Sequence, residues 1–341
     1  MICIFVCPIF PVKKREENNY PEYLIQNRVI ILTMNFLRPA LVFLLILIVA
    51  VTGCIQTETH KNNTEEPENG ILVSDSGFFV TGEENSLKIK IFDGTIIENI
   101  ISPKILSDLG QYPQINYEIS RVLIPQGKGN PVHCLKDTTE TIYILSGSAK
   151  ARVNGEIYSL SQGDTLFIPN STAQQVINSG DRELSYLSVT YPPYKEENEI
   201  ILSENCNAVK NTGKAFFKPG INTTEQIFFE GVEIFNILNP AILKNQGIDT
   251  LYGIGIAKAK IPEDDFTTPH ILEGTTEVMH IISGEGYLHV NKKTMMIKKG
   301  DTAYIPPGAY QSLENSGDDE LIYLTITDPA YSESIDSSVS D

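Results

Sequence analysis

Three polar side chains occur twice in this chain at one spacing. His133, Glu140 and Gln174 return as His270, Glu277 and Gln311, each 137 residues further along. An imidazole nitrogen, a carboxylate oxygen and an amide oxygen that meet at one point can hold a divalent ion such as Mn²⁺, Fe²⁺, Ni²⁺ or Zn²⁺, with open positions for water or a ligand. Without metal the same trio can hydrogen-bond a sugar hydroxyl or a carboxylate. It can also satisfy itself as a structural polar network. Tyr310, beside Gln311, is a candidate for the rim of a ligand cavity. The sequence contains no Gly-rich phosphate loop, no paired Cys ligands and no Ser or Cys nucleophile with a base at a revealing spacing. Five His residues in all leave little room for richer imidazole chemistry.

The elements that must position these residues are themselves duplicated. From Ile124 to Tyr194 and from Ile261 to Tyr331, about 29 of 71 paired positions are identical without a gap. A period far above the roughly 20–50 residues of solenoids means two whole domains, each with its own core. Weaker similarity reaches upstream, where Pro103, Ile105, Leu106 and Gly110 match Pro240, Ile242, Leu243 and Gly247. The domains are therefore expected over 71–203 and 204–334, with 335–341 as an acidic tail. Within each copy, short β-branched and aromatic runs are punctuated by Gly, Asn, Asp or Pro every eight to twelve residues, which is an all-β pattern. Strands are expected at 87–92, 117–124, 140–146, 149–153, 156–160, 165–168, 173–178 and 184–191. Asn154-Gly155 is a hairpin signal, and Gly163-Asp164 recurs as Gly300-Asp301. No long segment has helical periodicity.

The spacing of Gly127, His133, Leu135, Glu140 and Gly147, then Gly163, Pro169, Gln174 and Asn178, resembles the two motifs of the cupin family. Copy two repeats it with His270, Leu272, Glu277, Gly284, Gly300, Pro306, Gly308, Gln311 and Asn315. The resemblance implies a bicupin: two tandem jelly-roll β-barrels, able to pack on each other as an internal pseudo-dimer. In metal-binding cupins it further implies four inward ligands, two His and a Glu from the first motif and a His from the second. Leu135 and Leu272 stand at the second His position, and Gln174 and Gln311 at the last. Copy two keeps the motif Gly at Gly308 where copy one has Ser171, which makes copy two the preferred site.

The N-terminal region reads as an address. Arg38 precedes the apolar run 41–51, which ends at Val51-Thr52-Gly53-Cys54 and gives way to polar residues. This resembles a lipoprotein signal peptide, which implies cleavage before Cys54, a lipid on its thiol and an extracytoplasmic, membrane-anchored protein. The run is short of the roughly 20 residues that a spanning helix needs. On this reading 1–53 is upstream extension and signal, with Met34 a natural start, and 54–70 is a flexible tether. The net charge of −17 repels phosphate backbones, so nucleic acid is not an expected partner. Only Cys134 and Cys206 fall in the body, too few for a disulfide framework. The expected function is the binding of a small polar ligand (a sugar or carboxylate) or a divalent metal. The alternatives are a metal-dependent isomerase, decarboxylase or dioxygenase, and a structural surface protein with vestigial pockets.

Overall fold

The computed structural model describes residues 71–73, 78–82, 87–90, 94–111, 115–201, 214–220, 226–229, 232–249 and 252–338. The expected signal segment, Cys54 and the expected tether lie outside the described residues. Each copy folds into a jelly roll made of one large and one small antiparallel sheet. In the first barrel the large sheet runs, in spatial order, Phe216–Lys218, Thr165–Ile168, Thr139–Ser146, Leu184–Tyr191, Glu118–Ile124, Ile96–Ile101 and Leu87–Lys90. Its small sheet runs Glu199–Ile201, His133–Leu135, Gln174–Asn178, Ser148–Val153 and Glu156–Ser161. In the second barrel the small sheet runs Lys293–Lys298, Glu285–Val290, Tyr310–Asn315, His270–Leu272 and Asp336–Ser338. Thr276–Ser283 and Leu321–Asp328 form the middle of its large sheet.

Strand alternation divides each large sheet between two cores. In Thr139–Ser146, Ile142 and Ile144 enter a cluster inside the first barrel with Val122, Ile124 and Tyr186, while Tyr143 points the other way. In Thr276–Ser283, Met279 and Ile281 fill the second barrel and Val278 points outward. Those outward residues join one shared cluster, with Ile119, Phe167 and Leu187 from copy one and Tyr252, Ile256 and Ile326 from copy two. Phe167 and Tyr252 meet edge to face, their centroids 5.4 Å apart. The large sheets are thus buried on both faces, which is why their strands read as continuous apolar runs.

The copies also exchange a strand. Phe79–Thr81, ahead of the first barrel, pairs with Thr302–Ile305 of the second, and Phe216–Lys218, ahead of the second, pairs with Thr165–Ile168 of the first. The exchanged strands are themselves 137 residues apart. Phe78 accordingly sits in the core of barrel two and Ala215 in that of barrel one. Hydrogen bonding therefore crosses the boundary at 203/204 drawn from the repeat.

Turn chemistry follows the residues. Asn154 and Gly155 take φ of 49° and 86°, the left-handed pair that a two-residue hairpin requires. Ser171 takes the left-handed φ of 54° where Gly308 takes 74°, so copy one keeps the backbone of the motif despite losing its glycine. Two six-residue helices, Pro103–Asp108 and Pro240–Asn245, were not expected, being too short to show periodicity. Ser102 and Asn239 cap them, accepting from the backbone N–H of Ile105 at 3.3 Å and of Ile242 at 2.8 Å. The Pro, Leu and Gly matched upstream of the main repeat are their first-turn, core and C-terminal residues.

Candidate functional site

The structure brings both trios together at the mouth of their own barrel. His133 and Gln174 are direct cross-strand partners, as are His270 and Gln311. Glu140 and Glu277 reach the same point from the neighbouring large sheet. In barrel one the Gln174 amide nitrogen donates to Glu140 Oε2 at 2.7 Å and lies 3.3 Å from His133 Nε2. His133 Nδ1 faces the carbonyl of Pro131 at 3.0 Å, and since a carbonyl only accepts, this ring nitrogen carries the hydrogen and Nε2 is the acceptor. Ser188 donates to Glu140 Oε1 at 2.5 Å. Barrel two repeats the pattern, with Gln311 on Glu277 Oε2 at 2.7 Å, Thr325 on Glu277 Oε1 at 2.6 Å and His270 Nδ1 on the Thr268 carbonyl at 2.8 Å.

For the divalent ion implied by the resemblance to metal-binding cupins, each barrel keeps one His and the Glu of the four ligand positions, with an amide and a hydrocarbon at the other two. In barrel one the Gln174 amide nitrogen stands between the imidazole and the carboxylate. Leu135 and Leu272 add only hydrocarbon, both being buried. The amide nitrogen offers its hydrogens to the carboxylate in both barrels and to the imidazole lone pair in barrel one. Gln174 Oε1 and Gln311 Oε1 are buried without a partner.

The barrels differ in access. A cavity of about 370 Å³ lies in barrel two, lined by His270, Leu272, Glu277, Met279 and Thr325 among others. His270 is partly exposed, whereas His133 is buried. Gly255 lines the cavity, and its counterpart 137 residues earlier is Glu118. Glu118 accepts from the Asn99 amide at 3.0 Å and from Ser120 at 3.4 Å. Burial pushes its carboxyl up to about 7, opposed in part by the Ser120 hydroxyl. The repeat conceals this acid, because a comparison of the copies ranks unshared residues last.

Beside each His strand runs a short strand that follows a single turn of 3₁₀ helix. Glu199–Ile201 pairs with His133–Leu135, and Asp336–Ser338 pairs with His270–Leu272. Tyr194 donates to Glu199 at 2.7 Å and Tyr331 to Asp336 at 3.0 Å. These acids were not among the expected site residues, although Glu196/Glu333 and Glu199/Asp336 keep the 137-residue spacing. The other motif residues are scaffold. Asn178 and Asn315 each clamp a loop through backbone carbonyls and a Gly N–H. Tyr310 is not among the residues lining the cavity and alternates with Gln311. Cys134, between His133 and Leu135, is fully buried.

The Cupin domain family model matches residues 120–190 and 258–327, one block in each barrel. The chain is 30% identical over 110 residues to the uncharacterized protein MJ1618 of Methanocaldococcus jannaschii, covering 32% of this chain and 83% of that protein. The chain is a two-domain cupin. This bicupin is also 36% identical over 70 residues to the oxalate-binding protein of Thermotoga maritima, 20% of this chain and 58% of that one. Among solved structures it is similar to oxalate decarboxylase from Bacillus subtilis, with a TM-score of 0.58 and 17% identity over 76% of this chain and 78% of that one. At that identity the likeness concerns the fold.

Proposed function

We propose that this bicupin binds a small molecule in its second barrel and is held at the extracytoplasmic face of a membrane by a lipid on Cys54. The observation that carries the reading is the cavity of about 370 Å³ that ends on His270 and Glu277. This volume falls within the roughly 300–1,000 Å³ of ligand sites, and its walls are apolar around a few polar groups, as in such sites generally. Glu277 is held in place by Gln311 and Thr325, while Nδ1 of His270 is occupied by the Thr268 carbonyl, leaving Nε2 for a ligand. The first barrel, with Glu118 projecting where the second has Gly255, serves as the supporting half.

The test is ligand-dependent thermal stabilisation of the full chain across sugars, carboxylates and amines, combined with metal analysis of untagged protein. Stabilisation that is lost in His270→Ala and kept in His133→Ala is expected, with far less than one equivalent of transition metal. One observation favours a second reading, a metal-dependent enzyme. Turning over either Gln amide would bring its unpartnered oxygen to face the His and the Glu. About one or two equivalents of Mn, Fe, Ni or Zn, lost in Gln311→Ala, would establish that reading in place of the first. Neither metal nor any stabilising compound would leave a structural surface protein. Mass spectrometry of the mature N-terminus tests the anchor, with Cys54→Ser expected to release the protein from membranes.

A further inference from the structure

The cavity in barrel two offers a ligand few polar groups. On the strand Gly255–Ile261 the residues turned toward it are Gly255, Ala257 and Ala259, where copy one carries Glu118, Ser120 and Val122. Among its described lining residues none is Lys or Arg. Several of its polar side chains are engaged within the protein. Both Glu277 oxygens accept, one from Gln311 and one from Thr325. Thr327 Oγ1 accepts from the Tyr331 N–H at 3.0 Å, and Thr267 Oγ1 from that of Leu313 at 2.8 Å. By contrast, His270 Nε2 and the Tyr323 hydroxyl line the cavity with no hydrogen bond among the described residues. Tyr323 is only 4% exposed, yet its oxygen is not sealed in by protein as those of Tyr117 and Tyr252 are. A phenol buried at the wall of a cavity without a partner is costly, and it becomes favourable when a ligand oxygen accepts its hydrogen. The two groups sit at different depths. Glu277, at the level of His270, pairs with Thr327, whereas Tyr323 pairs with Ile281, four residues or about 13 Å back along the same strand.

We propose that the second barrel binds an uncharged alcohol carried on an apolar body, its O–H donating to His270 Nε2 and a second oxygen accepting from Tyr323. The inference rests on the cavity reading above and names the ligand class for that site. It departs from the sugars and carboxylates considered from the sequence, and it adds neutral alcohols to the compounds the cavity should be offered. A carboxylate entering here would leave water without gaining a fixed cation. An ammonium would meet a Glu277 whose oxygens both already accept, so its own desolvation would go unanswered. A sugar would bury more hydroxyls than these walls can satisfy. A hydrocarbon body instead displaces water from Ala257, Ala259, Leu272 and Met279, and the two unpartnered groups fix its orientation.

Met279 supplies a local readout, because it lines the cavity while Met296 is exposed on the strand Lys293–Lys298. Full-length protein labelled with ¹³C at its methionine methyls would be titrated at pH 7 with four probes of similar shape: 4-methoxybenzyl alcohol, 4-ethylbenzyl alcohol, 4-methoxybenzylammonium and 4-methoxybenzoate. The methoxy alcohol is expected to move the Met279 methyl, leave Met296 unmoved and bind about tenfold or more tightly than either ion. Exchanging methoxy for ethyl removes the oxygen meant for Tyr323 and should weaken binding about threefold, a difference that disappears in Tyr323→Phe. His270→Ala should weaken both alcohols. An ion that binds as tightly as the methoxy alcohol, or indifference to either variant, overturns the alcohol assignment while leaving the cavity as a binding site. If no probe moves Met279, the cavity reading falls as well.

Discussion

Replacing Glu118 with Gln should make the protein more stable at neutral pH, and only there. Glu118 is partly buried among Asn99, Ser120 and the strands of barrel one, with hydrogen bonds from neutral donors at 3.0 and 3.4 Å. Its carboxyl is pushed up to about 7 from 4.5. A carboxyl whose folded value lies above its unfolded value binds a proton more tightly when folded. Its favourable contribution is present in full below about pH 4.5 and is lost as the pH rises through 7. The whole shift corresponds to about 3 kcal/mol, and partial solvation reduces the expected effect to about 2 kcal/mol. Gln mimics the protonated acid and can keep the Asn99 contact through its own oxygen. Urea denaturation from pH 4 to 8 would compare the two proteins. Near pH 4.5 their stabilities should agree within about 0.5 kcal/mol, and at pH 8 the variant should be more stable by about 2 kcal/mol. Parallel curves, or a variant less stable at pH 8, would show that Glu118 is ionised in the native barrel and that burial does not govern it.

Other residues give separate tests. Gln174→Leu removes the donor from buried Glu140 Oε2 and should cost about 2–3 kcal/mol in chemical denaturation; a loss below about 0.5 kcal/mol would mean that the amide is not what balances the carboxylate. Gly220→Ala would put a Cβ 2.6 Å from the carbonyl carbon of Gly163, backbone against backbone, two residues after the strand exchanged into barrel one. A loss of about 1–3 kcal/mol is expected, accompanied by faster proteolysis around 214–220. His280 is buried between the barrels, with Nδ1 facing the Thr302 hydroxyl at 2.8 Å, and burial together with the Arg121 charge lowers it to about 4. The unfolded chain therefore takes up a proton between pH 6.5 and 4 that the native state refuses, and stability should fall as pH falls through that window. His280→Gln should flatten this acid limb without touching the Glu118 slope.

Strand placement was legible because each motif constrains the backbone locally. The strands expected at 165–168 and 184–191 match Thr165–Ile168 and Leu184–Tyr191, and the others differ by a residue or two at their ends. Turn residues such as Gly163 and Gly300, with φ of 87° and 91°, have no neighbour that could substitute for their conformational freedom. His133 and Glu140 could be paired from the duplication alone. What the copies do not share was hidden: Glu118 stands where copy two has Gly255, and a repeat directs attention away from it. The short strand Asp336–Ser338 looked like tail because three residues carry no periodicity, and only its pairing with His270–Leu272 gives it a role.

The sequence by itself determined the duplication, the β class, the turns and the identity of each polar trio, since all of these follow from spacing and local backbone preference. Only the tertiary structure decided that each Gln side chain meets its Glu, which lead strand belongs to which barrel, and that a cavity lies beside the second trio. Those outcomes depend on contacts between residues far apart in the chain, where both faces of a strand are buried and alternation no longer distinguishes inside from outside. They depend too on competition for a few lone pairs, where the donor arrives from a distant strand.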